Sequence, residues 1–386
     1  MPDRSGVRNR TMAPGPRRIY DGKNSRNKGD VEMSKGPSGI GFVGCDLPRS
    51  AAADGGSGGH DHPHRREVAV NGTRIRTVDI HAHCAVPAAN AVLGQKVGRP
   101  DLLMSDAETR LAAMDAQGLD MAALSINPFW YGAERDEAAE VIRLQNEALA
   151  EICAATPDRF VAFATIALQH PDLAVEQVRH AVKELGLRGV SIGCSVEGEE
   201  LAAEKFHPVW AVCEELDLLV FMHPQGSREL QASGRLAGSG ALGNTIGNPL
   251  ETTIALSHLI FEGTLDHFPG LKICAVHGGG YIASYAHRSD VVCRTGSHNA
   301  QSRAKKNPTE YLRGGQLYFD SLVFTPEALR HLAAETGPDR IMIGTDYPFG
   351  WTSTEIDLVM NTPELTDDDR IAILGGTAAK LLRLDG

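Results

Sequence analysis

The chain of 386 residues has few aromatic residues, and it has no hydrophobic stretch long enough to cross a membrane. Phe, Trp and Tyr together make up only 5% of it, and no apolar run reaches the roughly 18 residues that a membrane span needs. The seven cysteines are widely spaced and form no Cys-x-x-Cys pair, which argues against a disulfide framework and favours the cytoplasm. Acidic residues outnumber basic ones, and the net charge of −11 argues against a nucleic-acid partner.

The charge is unevenly distributed along the chain. Residues 1–75 contain 13 Lys and Arg against 8 Asp and Glu, whereas residues 76–386 carry a net charge of −16. The first segment is rich in turn-forming residues and has little apolar periodicity, so it cannot bury enough surface to offset the entropy lost on ordering. We expect residues 1–75 to be a disordered, basic, low-complexity tail, or sequence upstream of the true start codon. A transit peptide is the alternative, which the acidic residues weaken.

From residue 76 onward, short apolar runs alternate with stretches of helical periodicity. The predicted strands are residues 76–80, 119–125, 160–165, 187–193, 216–222, 271–276, 316–320 and 340–345. The predicted helices are residues 106–117, 137–155, 171–185, 206–216, 249–263, 325–335 and the closing segment 367–384, with Ser105 and Thr325 as N-caps. Eight buried parallel strands joined by helices predict an α/β protein, a (β/α)₈ TIM barrel spanning residues 76–386. A doubly wound open sheet is the alternative, but no phosphate-binding glycine motif follows any strand.

Imidazoles and carboxylates stand where four of these strands end. Strand one ends in Asp-Ile-His-Ala-His with His81 and His83, strand five in His223, strand six in His277 and strand eight in Asp346. The carboxyl ends of barrel strands meet at one face, where the active site forms. Alternation along a strand places His81 and His83 on the same side. Any one of these histidines alone is more often a structural residue, so the prediction depends on the whole set.

Three imidazoles and a carboxylate form a borderline-soft ligand set. His81, His83, His223 and Asp346 suit Zn²⁺ best, with Mn²⁺, Fe²⁺ and Co²⁺ as alternatives. The fourth strand has no Lys, Glu or His that could bridge a second ion, so we predict one divalent metal. His277 is better placed as an acid or base than as a further ligand. The run Gly278–Gly280 is either a close approach to substrate or a tight turn.

Five motifs resemble the amidohydrolase superfamily, and more narrowly its metal-dependent decarboxylase branch. They are VDIHAHC (78–84), MDAQGLDMAALS (114–125), GNPLETTIALSHLIFEG (247–263), FPGLKICAVHGGG (268–280) and IMIGTDYPFG (341–350). The resemblance covers residues 76–384 in the same order. It departs after His223, where the loop 225–246 is rich in Gly, Ser and Ala and has no aromatic residue. That departure leaves the identity of the substrate open.

The resemblance also implies roles for individual residues. His81, His83, His223 and Asp346 correspond to the metal ligands, and His277 to the histidine that transfers protons beside the metal. Arg288 corresponds to an arginine that enters the site of a neighbouring subunit and holds a substrate carboxylate, which implies a homodimer. Arg99 is the candidate for a second carboxylate-binding arginine. The aromatic residues Phe129, Trp130, Tyr131 and Phe324, just past strand ends, form either a wall for a planar substrate or ordinary packing.

Three functions remain open on this basis. The leading hypothesis is nonoxidative decarboxylation of an unsaturated or aromatic carboxylic acid, with His277 and Asp346 moving the proton. The second keeps the same site but makes the chain a hydrolase or hydratase acting on a C–C bond, lactone or ester. The third is a metal-binding scaffold without catalysis, against which the intact set of five site residues counts. The expected partner is a small-molecule carboxylic acid.

Overall fold

The computed structural model describes residues 65–104, 107–296, 302–350 and 355–384. Contacts divide the chain into two units, Met1–Gly41 and Phe42–Gly386, of which the first lies wholly outside the described residues. Residues 1–64 of the predicted tail therefore lie outside the described residues, and so does the predicted N-cap Ser105. Within the described residues, no helix is both long enough and apolar enough to span a membrane.

Thirteen strands are present in the described residues, and most of them are short. They are β1 (Ala69–Val70), β2 (Thr73–Arg74), β3 (Val78–His83), β4 (Met121–Ser125), β5 (Phe160–Ala162), β6 (Ala164–Thr165), β7 (Gly189–Gly193), β8 (Ser195–Val196), β9 (Glu199–Glu200), β10 (Leu219–His223), β11 (Lys272–Ala275), β12 (Leu317–Asp320) and β13 (Ile341–Met342). Each of the eight predicted strand segments overlaps at least one of them.

The parallel strands form a closed barrel. One group has the order β3-β4-β5 and the other β13-β12-β11-β10-β7-β6. The two groups join where β5 and β6 follow each other along one extended segment interrupted only at Phe163. They join again where the Ile80 N–H donates to the Ile343 carbonyl at 2.8 Å and the Asp346 N–H donates to the His81 carbonyl at 2.8 Å. The predicted (β/α)₈ barrel is confirmed, and the doubly wound sheet is excluded because the edges meet.

Helices surround the strands. They are α1 (Pro87–Val92), α2 (Ala107–Gln117), α3 (Arg135–Ala155), α4 (Pro171–Lys183), α5 (His207–Glu215), α6 (Arg228–Ala232), α7 (Asn248–Phe261), α8 (Thr264–His267), α9 (Ile282–Thr295), α10 (Pro308–Arg313), α11 (Pro326–Thr336), α12 (Glu355–Asn361), α13 (Asp367–Ile371) and α14 (Thr377–Leu382). The Thr325 hydroxyl accepts from the Ala328 N–H at 3.2 Å, which confirms its predicted capping role. Helix α9 was not predicted, and neither were the shorter helices α1, α6, α8, α10 and α12.

The predicted boundary at residue 75 differs from the structure. Residues 65–75 are not part of a tail: β1 and β2 pair as an antiparallel hairpin, and Val68, Val70 and Ile75 are buried against the barrel. Arg66 also forms an ion pair with Asp357 of α12. The alternation of apolar residues at 68 and 70 was too short to stand out from the surrounding charged sequence.

The barrel interior has an apolar lower half, and its upper half carries the polar groups. Ile80, Phe163, Phe221 and Met342 belong to one buried cluster inside the barrel. Ala82 instead packs in the outer cluster between strands and helices. The pairing of β3 with β4 shifts register between Asp79 and Ala82, as at a β-bulge. Because of this shift, the side chains of β3 do not alternate strictly. Ile80 faces the apolar core inside the barrel, and His81 and His83 face the same interior nearer its upper end.

Candidate metal centre and substrate cavity

The four predicted metal ligands converge at the upper end of the barrel. The ligand atoms of His81, His83, His223 and Asp346 all lie within 4.8 Å of one another, and all four residues are buried. The Nε2 atoms of His81 and His83 are 3.0 Å apart, and Asp346 Oδ1 lies 3.2 Å from the former and 2.8 Å from the latter. Ligand atoms around one ion at ~2.1 Å are about 3.0–3.4 Å apart. The spacing therefore fits a single divalent ion.

Each histidine of the cluster is held through its other ring nitrogen. His81 Nδ1 donates to Asp320 Oδ2 at 2.7 Å, and His223 Nδ1 donates to the Pro224 carbonyl at 2.6 Å. Ser125 Oγ donates to the Ala82 carbonyl and accepts from His83 Nδ1 at 3.0 Å. These contacts leave every Nε2 atom directed into the cluster, which is the arrangement that metal-binding histidines need. His223 Nε2 is buried and has no hydrogen-bond partner within the described residues.

The protonation states of the cluster favour a cation. Burial lowers the pKa of His83 to about 4 and that of His223 well below its usual range, so both rings are neutral. Burial also lowers the pKa of His81, but the carboxylates of Asp346 and Asp320 outweigh this effect and raise it to about 10. Burial opposes ionisation of Asp346, yet the neighbouring His81, His277 and His83 hold its pKa far below the ordinary value. A divalent ion would displace the proton on His81, so its affinity decreases as the pH falls.

Asp320 is a site residue that the sequence analysis missed. It is fully buried at the end of β12. One oxygen accepts from His81, and the other accepts from the Gly278 N–H at 2.8 Å. It therefore connects a metal ligand to the turn that carries His277. The signal was present, since the predicted strand 316–320 ends in this aspartate as other strands end in site residues.

Replacing Asp320 with asparagine is expected to weaken metal binding about 10–100-fold, the usual effect of losing such a supporting carboxylate. The asparagine amide is neutral, so it accepts a weaker hydrogen bond from His81 Nδ1 than the carboxylate does. Its NH₂ group also competes with its oxygen for the position facing the His81 ring. Competition with a chromogenic chelator measures the metal affinity of each protein directly. Asp339→Asn, in the exposed turn before β13, is the control and should bind metal as the unmodified chain does. Equal metal affinity for Asp320→Asn and the unmodified chain would show that the contact does not support the site.

His277 lies beside the cluster and adopts an uncommon backbone conformation. Its Nε2 is 3.9 Å from Asp346 Oδ2, while Asp346 Oδ1 faces His81 and His83. His277 and Asp346 both have positive φ, of 56° and 57°. Non-glycine residues with such backbone angles cluster at functional sites. Asp346 thus bridges the ligand cluster and a histidine that is free to meet a substrate.

The glycines after His277 form a tight turn. Gly278, Gly279 and Gly280 all have positive φ. A Cβ atom on Gly280 would lie 2.1 Å from the Pro249 carbonyl oxygen, and one on Gly279 would lie 2.6 Å from the Phe319 ring. Of the two interpretations of this run, the structure supports the turn, because all three glycines have positive φ and an added Cβ would collide with the protein itself.

Two adjoining cavities open above the cluster. One of about 360 Å³ is lined by residues that include Asn127, Phe129, His223, His277, Asp346 and Phe349. The other, about 310 Å³, is lined by residues that include Asn244, Asn248, Pro249, His277, Leu322, Phe324 and Asp346. Both therefore reach His277 and Asp346. Their size and their aromatic and aliphatic walls suit a small planar molecule.

The four predicted substrate-binding residues lie in different places, and not all of them reach a cavity. Phe324 lines the second cavity and is 59% exposed. Trp130 is wrong as a wall residue: it is fully buried, and its Nε1 donates to the Ile166 carbonyl at 2.9 Å. Arg99 lines neither cavity, because its guanidinium pairs with Asp101 and lies 4.6 Å from the centre of the Phe349 ring. Arg288 is exposed on α9 and also lines neither cavity of its own chain.

Comparisons with known proteins identify a family and several relatives of the chain. The amidohydrolase family pattern matches residues 78–384. The chain is 31% identical to a gamma-resorcylate decarboxylase of Rhizobium sp. (strain MTP-10005), over 74% of this chain and 89% of that one. It is 29% identical to a 2-amino-3-carboxymuconate-6-semialdehyde decarboxylase of Dictyostelium discoideum, over 80% of this chain and 85% of that one.

A similar solved structure contains a metal. A dihydroxybenzoic acid decarboxylase from Polaromonas sp. JS666, with bound manganese and the inhibitor 2-nitroresorcinol, superimposes with a TM-score of 0.69 at 26% identity. The superposition covers 81% of this chain and 98% of that one.

Proposed function

Because the chain belongs to the amidohydrolase family and to its decarboxylase branch, we propose that it catalyses the metal-dependent nonoxidative decarboxylation of an aromatic or unsaturated carboxylic acid. One observation carries the proposal. Three imidazole Nε2 atoms and a carboxylate converge on one point, with His277 beside them, below a cavity whose walls combine aromatic and polar side chains. A small carboxylic acid fits such a site by its charged group at the cluster and by its flat body between the walls.

The proposed cofactor is one divalent ion bound by His81, His83, His223 and Asp346. Three nitrogens and one oxygen favour Zn²⁺, which makes it our first choice. Mn²⁺ is the alternative, supported by the manganese in the similar decarboxylase from Polaromonas. When bound, the ion acts as a Lewis acid that polarises oxygen atoms of the substrate.

His277 and Asp346 are the proposed proton-transfer residues. Decarboxylation breaks the bond between the substrate carbon and its carboxylate, releases CO₂, and requires a proton at that carbon. His277 faces both cavities and can deliver the proton as a general acid. Asp346 Oδ2 lies 3.9 Å from His277 Nε2, close enough to take part in the same proton relay.

We further propose that the chain acts as a homodimer in which Arg288 pairs with a substrate carboxylate in the neighbouring subunit. Arg288 makes no contribution to the cavities of its own chain, and its exposed place on α9 leaves the guanidinium available to a partner. A planar guanidinium pairs bidentately with a carboxylate. Arg99 stays a candidate for a second contact only if its pairing with Asp101 is released.

The six described cysteines are free, which supports a location in the cytoplasm.

Release of CO₂ tests the proposed function. The metal-loaded protein is incubated with a panel of hydroxybenzoates and muconate semialdehydes, and CO₂ is measured together with the product. We expect one CO₂ per molecule of acid consumed and a product lacking the carboxylate. The rival hydrolase or hydratase would consume an ester, lactone or diene acid without CO₂ release. That result would replace the proposal, since the same ligands serve either chemistry.

Mixing two inactive variants tests the shared site. Arg288→Ala and His277→Ala are each expected to be inactive as pure proteins. A mixed dimer has one site that combines an intact Arg288 with an intact His277, so mixing after mild dissociation should recover about a quarter of the unmodified activity, if each dimer combines subunits at random. Arg294→Ala on the same helix is the control, and it should stay active when pure. No recovery from a demonstrated mixed dimer would contradict the shared site.

A further inference from the structure

Two asparagines stand together on the wall that both cavities share. Asn244 and Asn248 line each of the two cavities, in company with His277 and Asp346 each time. Asn244 lies in a π-helical segment, Gly243–Gly247, which runs directly into α7 at Asn248. Residues four apart lie on the same side of a helix. The two amides therefore form one polar patch that faces the space above the metal cluster.

The amides of this patch are available to a ligand. Within the described residues, neither side chain hydrogen-bonds to another group. Their polar neighbours are already engaged. Gln225 donates to the Pro128 carbonyl, and the Thr245 hydroxyl donates to the Gly240 carbonyl at 3.1 Å. Asn244 and Asn248 thus offer amide donors and acceptors that have no hydrogen-bond partner among the described residues.

The surroundings of the patch indicate what kind of group it binds. Pro249, Leu322 and Phe324 flank it in the second cavity. No Lys or Arg side chain among the described lining residues of either cavity stands beside it. A carboxylate bound against neutral amides in an apolar cleft would lack the cation that offsets its desolvation. The group that fits here is neutral and both donates and accepts, as a hydroxyl does.

We infer that Asn244 and Asn248 are specificity-determining residues that bind a second ring hydroxyl of the substrate, so that a dihydroxy acid is preferred over the analogue that lacks only that hydroxyl. An asparagine oxygen accepts the phenolic O–H, and an NH₂ group donates to the phenolic oxygen. A site built to hydrogen-bond a substrate hydroxyl discriminates strongly against the analogue that lacks it, because its polar groups are then left unpaired. The inference rests on the proposed function, since it assigns specificity residues to the same site.

The test compares substrates and variants together. The unmodified chain, Asn244→Leu and Asn248→Leu are assayed for kcat/KM with 2,3-, 2,4-, 2,5- and 2,6-dihydroxybenzoate and with 2-hydroxybenzoate. The unmodified chain should prefer one dihydroxy isomer over 2-hydroxybenzoate by about tenfold or more. Each leucine variant should lose about tenfold on that isomer and little on 2-hydroxybenzoate. Thr245→Val, on the same turn but with an engaged hydroxyl, should keep the preference.

Metal content and unfolding temperature establish that each variant is folded, and alanine replaces leucine in any variant that is not. An unchanged preference in both folded variants would overturn the inference while leaving the proposed decarboxylation intact. If no acid of the panel releases CO₂, calorimetry measures the Kd of each acid instead. A hydroxyl preference in Kd that the leucine variants lose would support the patch even as the proposed reaction fails. Its absence in Kd would overturn both.

Discussion

Replacing His277 with glutamine is expected to lower kcat about 10²–10⁴-fold while leaving the metal in place. The size of the loss is that of removing a general acid from a proton-transfer step. The ring stands 3.9 Å from Asp346, outside the group of four converging ligand atoms, and faces both cavities. Glutamine preserves the polar contact but cannot transfer a proton at neutral pH. Turnover and metal content are measured on the same preparation.

The control is His287→Gln, on α9 ten residues further along. That side chain is 73% exposed, and its Nε2 lies 3.2 Å from Glu335 on the surface. It should keep both its metal and its rate. A His277→Gln protein that retains its metal and turns over within a few-fold of the unmodified rate would exclude His277 as the proton donor. Loss of the metal from that protein would instead make His277 a ligand.

Replacing His83 with alanine is expected to remove both the metal and the activity. His83 is buried, its Nε2 lies 3.0 Å from His81 Nε2 and 2.8 Å from Asp346, and Ser125 fixes its orientation. Without this ring the cluster keeps two imidazoles and one carboxylate. Losing Lewis-acid stabilisation worth several kcal/mol corresponds to about 10³-fold or more in kcat. Elemental analysis after gel filtration reports the metal, and CO₂ release reports the rate.

His258→Ala is the matched control for this variant. His258 lies on α7 with a side chain 40% exposed, where it faces Glu200 and Glu262 and not the cluster. It should bind one ion per chain and remain active. Unchanged activity in His83→Ala would contradict the metal mechanism, and so would a metal-free unmodified chain that is fully active. Excess Zn²⁺ or Mn²⁺ that restores His83→Ala would show that the three remaining ligands suffice.

The barrel and its ligand set could be predicted because both depend on local rules. Parallel strands read as apolar runs, and their carboxyl ends meet at one face, so residues as distant as His81 and Asp346 could be placed together without tertiary information. The bulge in β3 was not predicted, since nothing in its sequence marks it. Alternation alone predicts that His81 and His83 lie on the same side of β3. That this side is the barrel interior depends on the register shift in the pairing with β4.

The supporting contacts could not be predicted in the same way. Asp320 reaches His81 across 239 positions of the sequence, and Ser125 reaches His83 across 42. Such pairs depend on how neighbouring strands are registered, which apolar periodicity does not determine. Trp130 shows the reverse error. Its place just past a strand suggested a substrate wall, but the ring turned inward because burial and a hydrogen bond to Ile166 satisfy both its apolar face and its N–H.

The most direct test is a metal titration of the metal-free protein followed by CO₂ release. Zn²⁺ and Mn²⁺ are each added in steps to the chelator-treated chain with an acid that the panel has identified. The account predicts that CO₂ release rises in proportion to the metal added and reaches its limit at one ion per chain for at least one of the two metals. Full CO₂ release from the metal-free chain, or a limit at two ions per chain, would contradict it.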